Sequence, residues 1–393
     1  MRSRYIVAAA MALFMSACVN DDTDFSGIID GGDTYVPKEI KFNTAPLEEA
    51  EETVPSGDND YVENSQWRYK ITVIYNEYGA RLEGDVNRVK ATIEGGHVTI
   101  NSTVSRMEYI LTGMNENGSF KIYSENKMKV TLAGLQLVNP RGAAINNQCG
   151  KSMYVELLAG SKNYLADSPK YDMVEGEDMK GTFFSEGQVI FSGSGTLYVR
   201  SNGRNAIASD DYIVFRPGNV INIENNVGSG IKANDGIFIR GGVLNIDTKG
   251  DASKGMNSEL DMEISGGRTT IITSGKAVGE GDDTSSCAAI KCDSLFTVTD
   301  GILNLKSEGE GGKGINCDKN ILISGGEVNV VALGKKTVSS PKGIKADGDI
   351  TFTGGSVYSY SKKSDAIDAG KTFGFAEGYA SLNQESHLFE VVY

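Results

Sequence analysis

The stretch that decides the fold runs Gly314-Ile315-Asn316-Cys317-Asp318-Lys319-Asn320-Ile321-Leu322-Ile323-Ser324-Gly325-Gly326-Glu327-Val328-Asn329-Val330. It holds three short alternating runs, at 315–317, 321–323 and 328–330, separated by Asp and Gly-Gly turns. Strands this short, with no helical connector, cannot build a conventional parallel sheet, whose crossovers usually need a helix. They can stack coil upon coil, each strand pairing with its equivalent one period later, about 4.8 Å away. The predicted fold is therefore all-β: a parallel β-helix.

Working outward, the same unit recurs. Its apolar marker falls at Ile207, Ile231, Met256, Ile290, Ile315, Ile344 and Ile367, in steps of 24, 25, 34, 25, 29 and 23. The glycine of the other marker falls at Gly195, Gly218, Gly242, Gly267, Gly301, Gly326 and Gly355, in steps of 23, 24, 25, 34, 25 and 29. Two independent markers give one period and place the same two insertions. Inward columns follow: the Ile column, then a small-residue column of Ser209, Ala233, Ser258, Cys292, Cys317, Ala346 and Ala369. Between them an outward column carries Ala208, Lys232, Asn257, Lys291, Asn316, Lys345 and Asp368, and a further one Asp210, Asn234, Glu259, Asp293, Asp318 and Asp347. Lys254, Lys313 and Lys342 stand just before the strand. The glycines supply positive φ at a corner where a β-branched residue could not turn. Cys292 and Cys317 are expected as a buried, unbridged thiol pair, because parallel side chains suit a bridge poorly.

Composition narrows the function. The 393 residues include 48 glycines, too many for a helical bundle, and 39% hydrophobic residues, too many for a disordered polymer. A net charge of −14 without a basic stripe excludes nucleic acid as a partner. Two histidines and one tryptophan disfavour His-based triads, His-rich metal sites and a Trp-lined sugar cleft. No Cys-x-x-Cys spacing suggests zinc.

The first residues read as an export signal. Arg2 and Arg4 precede an apolar run at 6–14, too short to span a bilayer, ending in Ser16-Ala17-Cys18. This resembles a bacterial lipobox in which Cys18 becomes the acylated first residue. Removing residues 1–17 takes away two arginines and no acids, moving the charge from −14 to −16. The expected layout is a signal peptide at 1–17, an acidic tether and loop at 18–66 and a β-rich cap at 67–90, where Trp67, Tyr69, Ile71, Val73 and Tyr75 share a face. A β-helix at 91–370 and a C-terminal cap at 371–393 follow. The expected location is the outer membrane, exposed at the cell surface and held only by the lipid anchor.

Rungs of the form Lys-Gly-Ile-x-x-Asp followed by Ile-x-Ile-Ser-Gly-Gly resemble the carbohydrate-binding parallel β-helix family of clostridial cellulose- and polygalacturonate-binding type. Upstream, Val98-Thr99-Ile100-Asn101-Ser102, Tyr109-Ile110-Leu111-Thr112-Gly113, Val130-Thr131-Leu132-Ala133-Gly134, Gly142-Ala143-Ala144-Ile145 and Leu157-Leu158-Ala159-Gly160-Ser161-Lys162-Asn163 stand in that family's order. The resemblance spans about residues 69–370. It implies a right-handed parallel β-helix similar to family-9 polysaccharide lyases, calcium sites, and binding of cellulosic or polygalacturonate chains without established lyase activity. Asn257 and Asn316 depart from it, standing where many members carry Lys.

The candidate sites follow. Lys232, Lys291 and Lys345, with Lys254, Lys313 and Lys342, offer recurring ammonium groups to an extended polyuronate; the bland alternative is a self-neutralising solvated face. Glu280, Asp282 and Asp283 on the Gly-rich insertion, with Asp293, Asp318 and Asp347, offer oxygens suited to calcium; the alternative for the insertion is a solvated acidic loop. Outward Tyr198, Tyr358 and Tyr360 suit stacking on sugars, the alternative being isolated surface tyrosines of the common kind. The expected function is a surface lipoprotein binding polysaccharide, calcium-assisted and non-catalytic. The alternatives are a calcium-dependent lyase, with a Lys base removing the proton α to a carboxylate, and a structural or adhesive surface protein.

Overall fold

The structure, a computed structural model, describes residues 35–50, 52–280 and 284–393. Cys18, Asp282 and Asp283 lie outside the described residues. Each coil carries three strands, as in Lys313–Cys317, Asn320–Ile323 and Glu327–Ala332. The first strands of successive coils, from Gly96–Ser102 to Ile367–Ala369, form one sheet, which with Lys90–Glu94 antiparallel at its start has 12 described strands. The other described strands form a second sheet of 21, joined because Met128–Asn139, Asp261–Thr273 and Leu295–Ser307 each span a corner and pair on both sides of it.

Register confirms the columns. Ile207 pairs with Ile231, then Met256, Ile290, Ile315, Ile344 and Ile367. Val98, Phe120, Ile145 and Phe183 extend this column upstream. From Val98 to Ile344 these side chains are at most 1% exposed, one continuous core. Cys292 lies in register with Cys317, both buried and unbridged. Positive φ at the corner falls on Gly193, Gly218, Gly242, Gly267, Gly301, Gly326 and Gly355. The first corner therefore turns at Gly193, not at Gly195.

The ends differ from the expected layout in one instructive way. Tyr69–Asn76 already pairs in parallel with Met107–Asn115, so coiling starts inside the segment read as a cap. Ile71, Val73 and Tyr75 point into the core, whereas Trp67 packs outside the coil against Tyr154, with ring centroids 5.7 Å apart. At the far end Leu388–Val392 turns antiparallel onto Ser356–Ser361 and covers the last edge.

The acidic segment read as tether and loop is, from Tyr35 onward, a strap lying along the outside of the second sheet. It runs against the direction of coiling. Tyr35 meets Tyr358, Lys38 meets Asn329, Asn43 meets Asn245, and Asp60 meets Tyr212. Low hydrophobicity concealed this because acids do much of the fastening. Glu52 and Glu63 grip Arg216 at 2.9 and 2.8 Å, Asp60 grips Arg240 at 2.6 Å, and Tyr61 lies under the Arg216 guanidinium at 4.3 Å. In these charge-assisted bonds Arg216 is buried and Glu52 nearly so, whereas the Glu63 side chain remains 49% exposed.

Candidate functional site

On the first face, the lysines stand in the expected columns: Lys232, Asn257, Lys291, Asn316 and Lys345 are consecutive register partners. Each of the three lysines is already paired. Lys232 bridges Glu259 at 2.9 Å, Lys291 bridges Asp293 at 2.6 Å and Asp318 at 2.5 Å, and Lys345 bridges Asp347. Lys342 bridges Asp365 and Asp368. Lys254 and Lys313 turn inward, and no carboxylate pairs with either among the described residues.

Of the acids expected to hold calcium, the four described ones, Glu280, Asp293, Asp318 and Asp347, do not form a close group. Asp293, Asp318 and Asp347 are each tied to a lysine, and Glu280 is exposed. Calcium takes 6–8 oxygens, and this described set does not fit it. Among the described residues, one trio of acids lies close together, Asp178, Glu186 and Asp210, with ligand oxygens within 4.8 Å. Lys180 already pairs with two of them, 2.8 Å from Asp178 and 2.6 Å from Asp210.

The three tyrosines separate. Tyr358 and Tyr360 point away from the coil core but are 2% exposed, because Tyr35 and Ile40 of the strap cover them. They are unavailable to a sugar. Tyr198 is 41% exposed and lines a recess of about 310 Å³ between the strap and the second sheet.

The recess is built by register. One outward column reads Tyr164, Tyr198, Asn222 and Asn245, and the next but one reads Arg200, Glu224 and Asp247. Phe42 and Thr44 of the strap close the other wall. Asn245 Nδ2 donates to Asn222 Oδ1 at 3.0 Å and to the Asn43 carbonyl at 3.2 Å. That fixes the Asn222 amide, whose buried Nδ2 has no partner within the protein. A buried donor left unmade costs about 1–3 kcal/mol. Lys249 bridges Glu224 at 2.7 Å and Asp247 at 3.5 Å. Its hydrogen bond lowers the Glu224 carboxyl, while burial raises that of Asp247. Aromatic faces beside amide, guanidinium and carboxylate groups suit a polyhydroxylated ring, with its apolar faces and hydroxyl rim.

Sequence reasoning found Tyr198 and missed its neighbours. The columns of Tyr164, Arg200, Asn222 and Glu224 were legible by counting from the corner glycines. Phe42 and Thr44 were not, because their partners lie some two hundred positions away.

The profile of carbohydrate-binding domain-containing proteins matches residues 94–278, 252–334 and 309–386. Among solved structures, the chain is similar to a polysaccharide lyase-like protein from C. thermocellum, solved as a gadolinium derivative. The TM-score is 0.51 at 21% identity, covering 65% of this chain and 96% of that one. This likeness shows the parallel β-helix fold. No curated protein matches the chain.

Proposed function

We propose, from the premise that the chain belongs to the carbohydrate-binding domain-containing family, that it binds polysaccharide in the recess at Tyr198. The observation that carries this reading is the exposed Tyr198 ring, in one outward column with Tyr164 and the Asn222 and Asn245 amides along the wall of the recess. The ligand is a neutral, cellulosic-type chain. Arg200 is offset by Glu224 and Asp247, and a chain of net charge −14 repels polyanions. Binding proceeds without cleavage and without calcium, and Cys18 anchors the protein at the cell surface. The lysine–acid pairs of the first face support this choice over the lyase reading, which needs an unpaired Lys base beside gathered acids.

The test is titration calorimetry of the soluble chain, without residues 1–18, against a neutral β-glucan and polygalacturonate. The expected result is binding to the glucan, weakened tenfold or more (about 1.4 kcal/mol) by Tyr198→Ala. Glucan affinity unchanged in that variant would overturn the assignment.

A further inference from the structure

The two insertions of the repeat meet at one corner of the first face. Residues 284–287, at the end of the first insertion, bring Ser285 and Ser286, and the loop at 333–341 brings Ser339. The Ser286 and Ser339 hydroxyl oxygens are 3.1 Å apart. Between them reaches Lys313, whose Nζ is hydrogen-bonded to Ser286 Oγ and lies 2.7 Å from Ser339 Oγ. The two serines are half-buried, whereas Lys313 is 7% exposed, so the amine sits behind the hydroxyls. Lys254 holds Ser285 Oγ at 2.9 Å and the Ala252 carbonyl at 2.7 Å, bringing a second amine to the same corner.

An ammonium ion buried with only hydroxyl partners is poorly solvated. Burial pushes the Lys313 amine down to about 8; Lys345, Lys342 and Lys254 add repulsion, and Asp368 opposes it. A neutral amine has one lone pair and two N–H donors. It can accept the Ser286 proton while donating to Ser339, which uses both hydroxyls.

We infer that Ser286 and Lys313, positioned by Ser339, form a serine–lysine nucleophilic centre that cleaves acyl esters carried on carbohydrate. The carbohydrate clause rests on the function proposed above; the nucleophilic centre does not. Ser286 Oγ attacks the ester carbonyl carbon and passes its proton to Lys313 Nζ. The carbon–oxygen bond to the sugar breaks, and the Lys313 ammonium returns the proton to the leaving sugar oxygen. Water then attacks the acyl-serine, with Lys313 again taking and returning one proton, and the acid departs. This is the serine–base logic of a catalytic triad with an amine in place of imidazole. It needs no strand-to-helix elbow, because two loops deliver the hydroxyls. Cys287 does not compete: it is fully buried, burial raises its thiol, and it donates to the Ser253 carbonyl at 3.0 Å.

The test uses the intact chain with p-nitrophenyl acetate, a fluorophosphonate serine probe and acetylated glucan. The expected result is labelling mapped to Ser286 and ester hydrolysis that rises through pH 8. Ser286→Ala and Lys313→Met should each lower hydrolysis by about 100-fold. Ser339→Ala should lower it less and shift the pH midpoint, which a merely structural role would not do. Lys313→Arg keeps the charge and serves as a second variant if Lys313→Met melts early; it should be folded and inactive. Absence of labelling, or unchanged hydrolysis in folded Ser286→Ala, overturns the centre. Hydrolysis of the nitrophenyl ester without release of acetate from the glucan overturns the carbohydrate clause alone. Glucan affinity is measured by calorimetry on the same intact chain, so hydrolysis without glucan binding sinks only the binding reading, and glucan binding without hydrolysis sinks only the centre.

Discussion

The Gly242 N–H donates a bifurcated hydrogen bond to the two Glu49 carboxylate oxygens, at 2.8 and 3.0 Å, across 193 positions of sequence. The same carboxylate accepts the Gly218 N–H at 2.9 Å, so one acid of the strap closes the corners of two adjacent coils.

Glu49→Ala should release the middle of the strap. Bonds to charged groups contribute about 1.5–3 kcal/mol, and a loss near the lower end is expected because Glu49 is half-exposed. Limited proteolysis should cut within 35–66 sooner than in the parent, with the coils left intact. Identical cleavage rates would refute the clamp.

Acid should loosen the same strap. Burial pushes the Glu63 carboxyl up, but hydrogen bonds from Arg216 and the Glu63 backbone outweigh it and hold the group below its usual value. A depressed carboxyl pKa adds stability that is present above the unfolded value, near 4.3, and lost as pH falls through the folded one. Strap cleavage should therefore accelerate below about pH 4. Glu63→Gln, which keeps the shape without the charge, should flatten that part of the profile.

Replacing Lys232, Lys291 and Lys345 together by Ala should leave glucan affinity unchanged and cost about 0–1 kcal/mol per exposed pair. EDTA should likewise leave binding unchanged. Loss of affinity in calorimetry under either treatment would return the first face, or calcium, to the binding site.

Gly326 turns its corner at φ 75°, and a Cβ there would lie 2.7 Å from the Gly301 carbonyl oxygen and 2.9 Å from the Asp300 carbonyl carbon. Those are backbone atoms and cannot swing aside. Gly326→Ala should cost about 1–3 kcal/mol, whereas Gly160→Ala, at φ 72° with open space around it, should cost less. Thermal melts of the two variants check the order.

The core was legible because alternation along a strand and a fixed period along the chain both bear on Ile231, Met256 and Ile290. Each constrains the other, and the ladder register follows. Tyr358 and Tyr360 were misjudged for a physical reason: a side chain pointing out of the coil reaches water only if nothing covers it. Their cover, Tyr35 and Ile40, belongs to a segment without periodicity, fastened by isolated groups whose partners no spacing rule can locate. Ser286 and Ser339 were missed because they lie in the insertions, where the repeat lapses and neighbours in space have no fixed offset.

A solenoid is ordinarily a one-dimensional assembly in which each coil consults only its neighbours, and fraying or nucleation can begin anywhere. The strap changes that arithmetic. Its Tyr35 needs the coil of Tyr358, its Glu49 the coils of Gly218 and Gly242, and its Asp60 the coil of Tyr212. The earliest-made described residues therefore find their full seat only after the late coils exist, closing a loop of over three hundred residues. Closing so long a loop adds only slowly growing entropy, yet it ties coils that would otherwise open independently into one cooperative unit, and it sets the docking of the strap among the last events of folding.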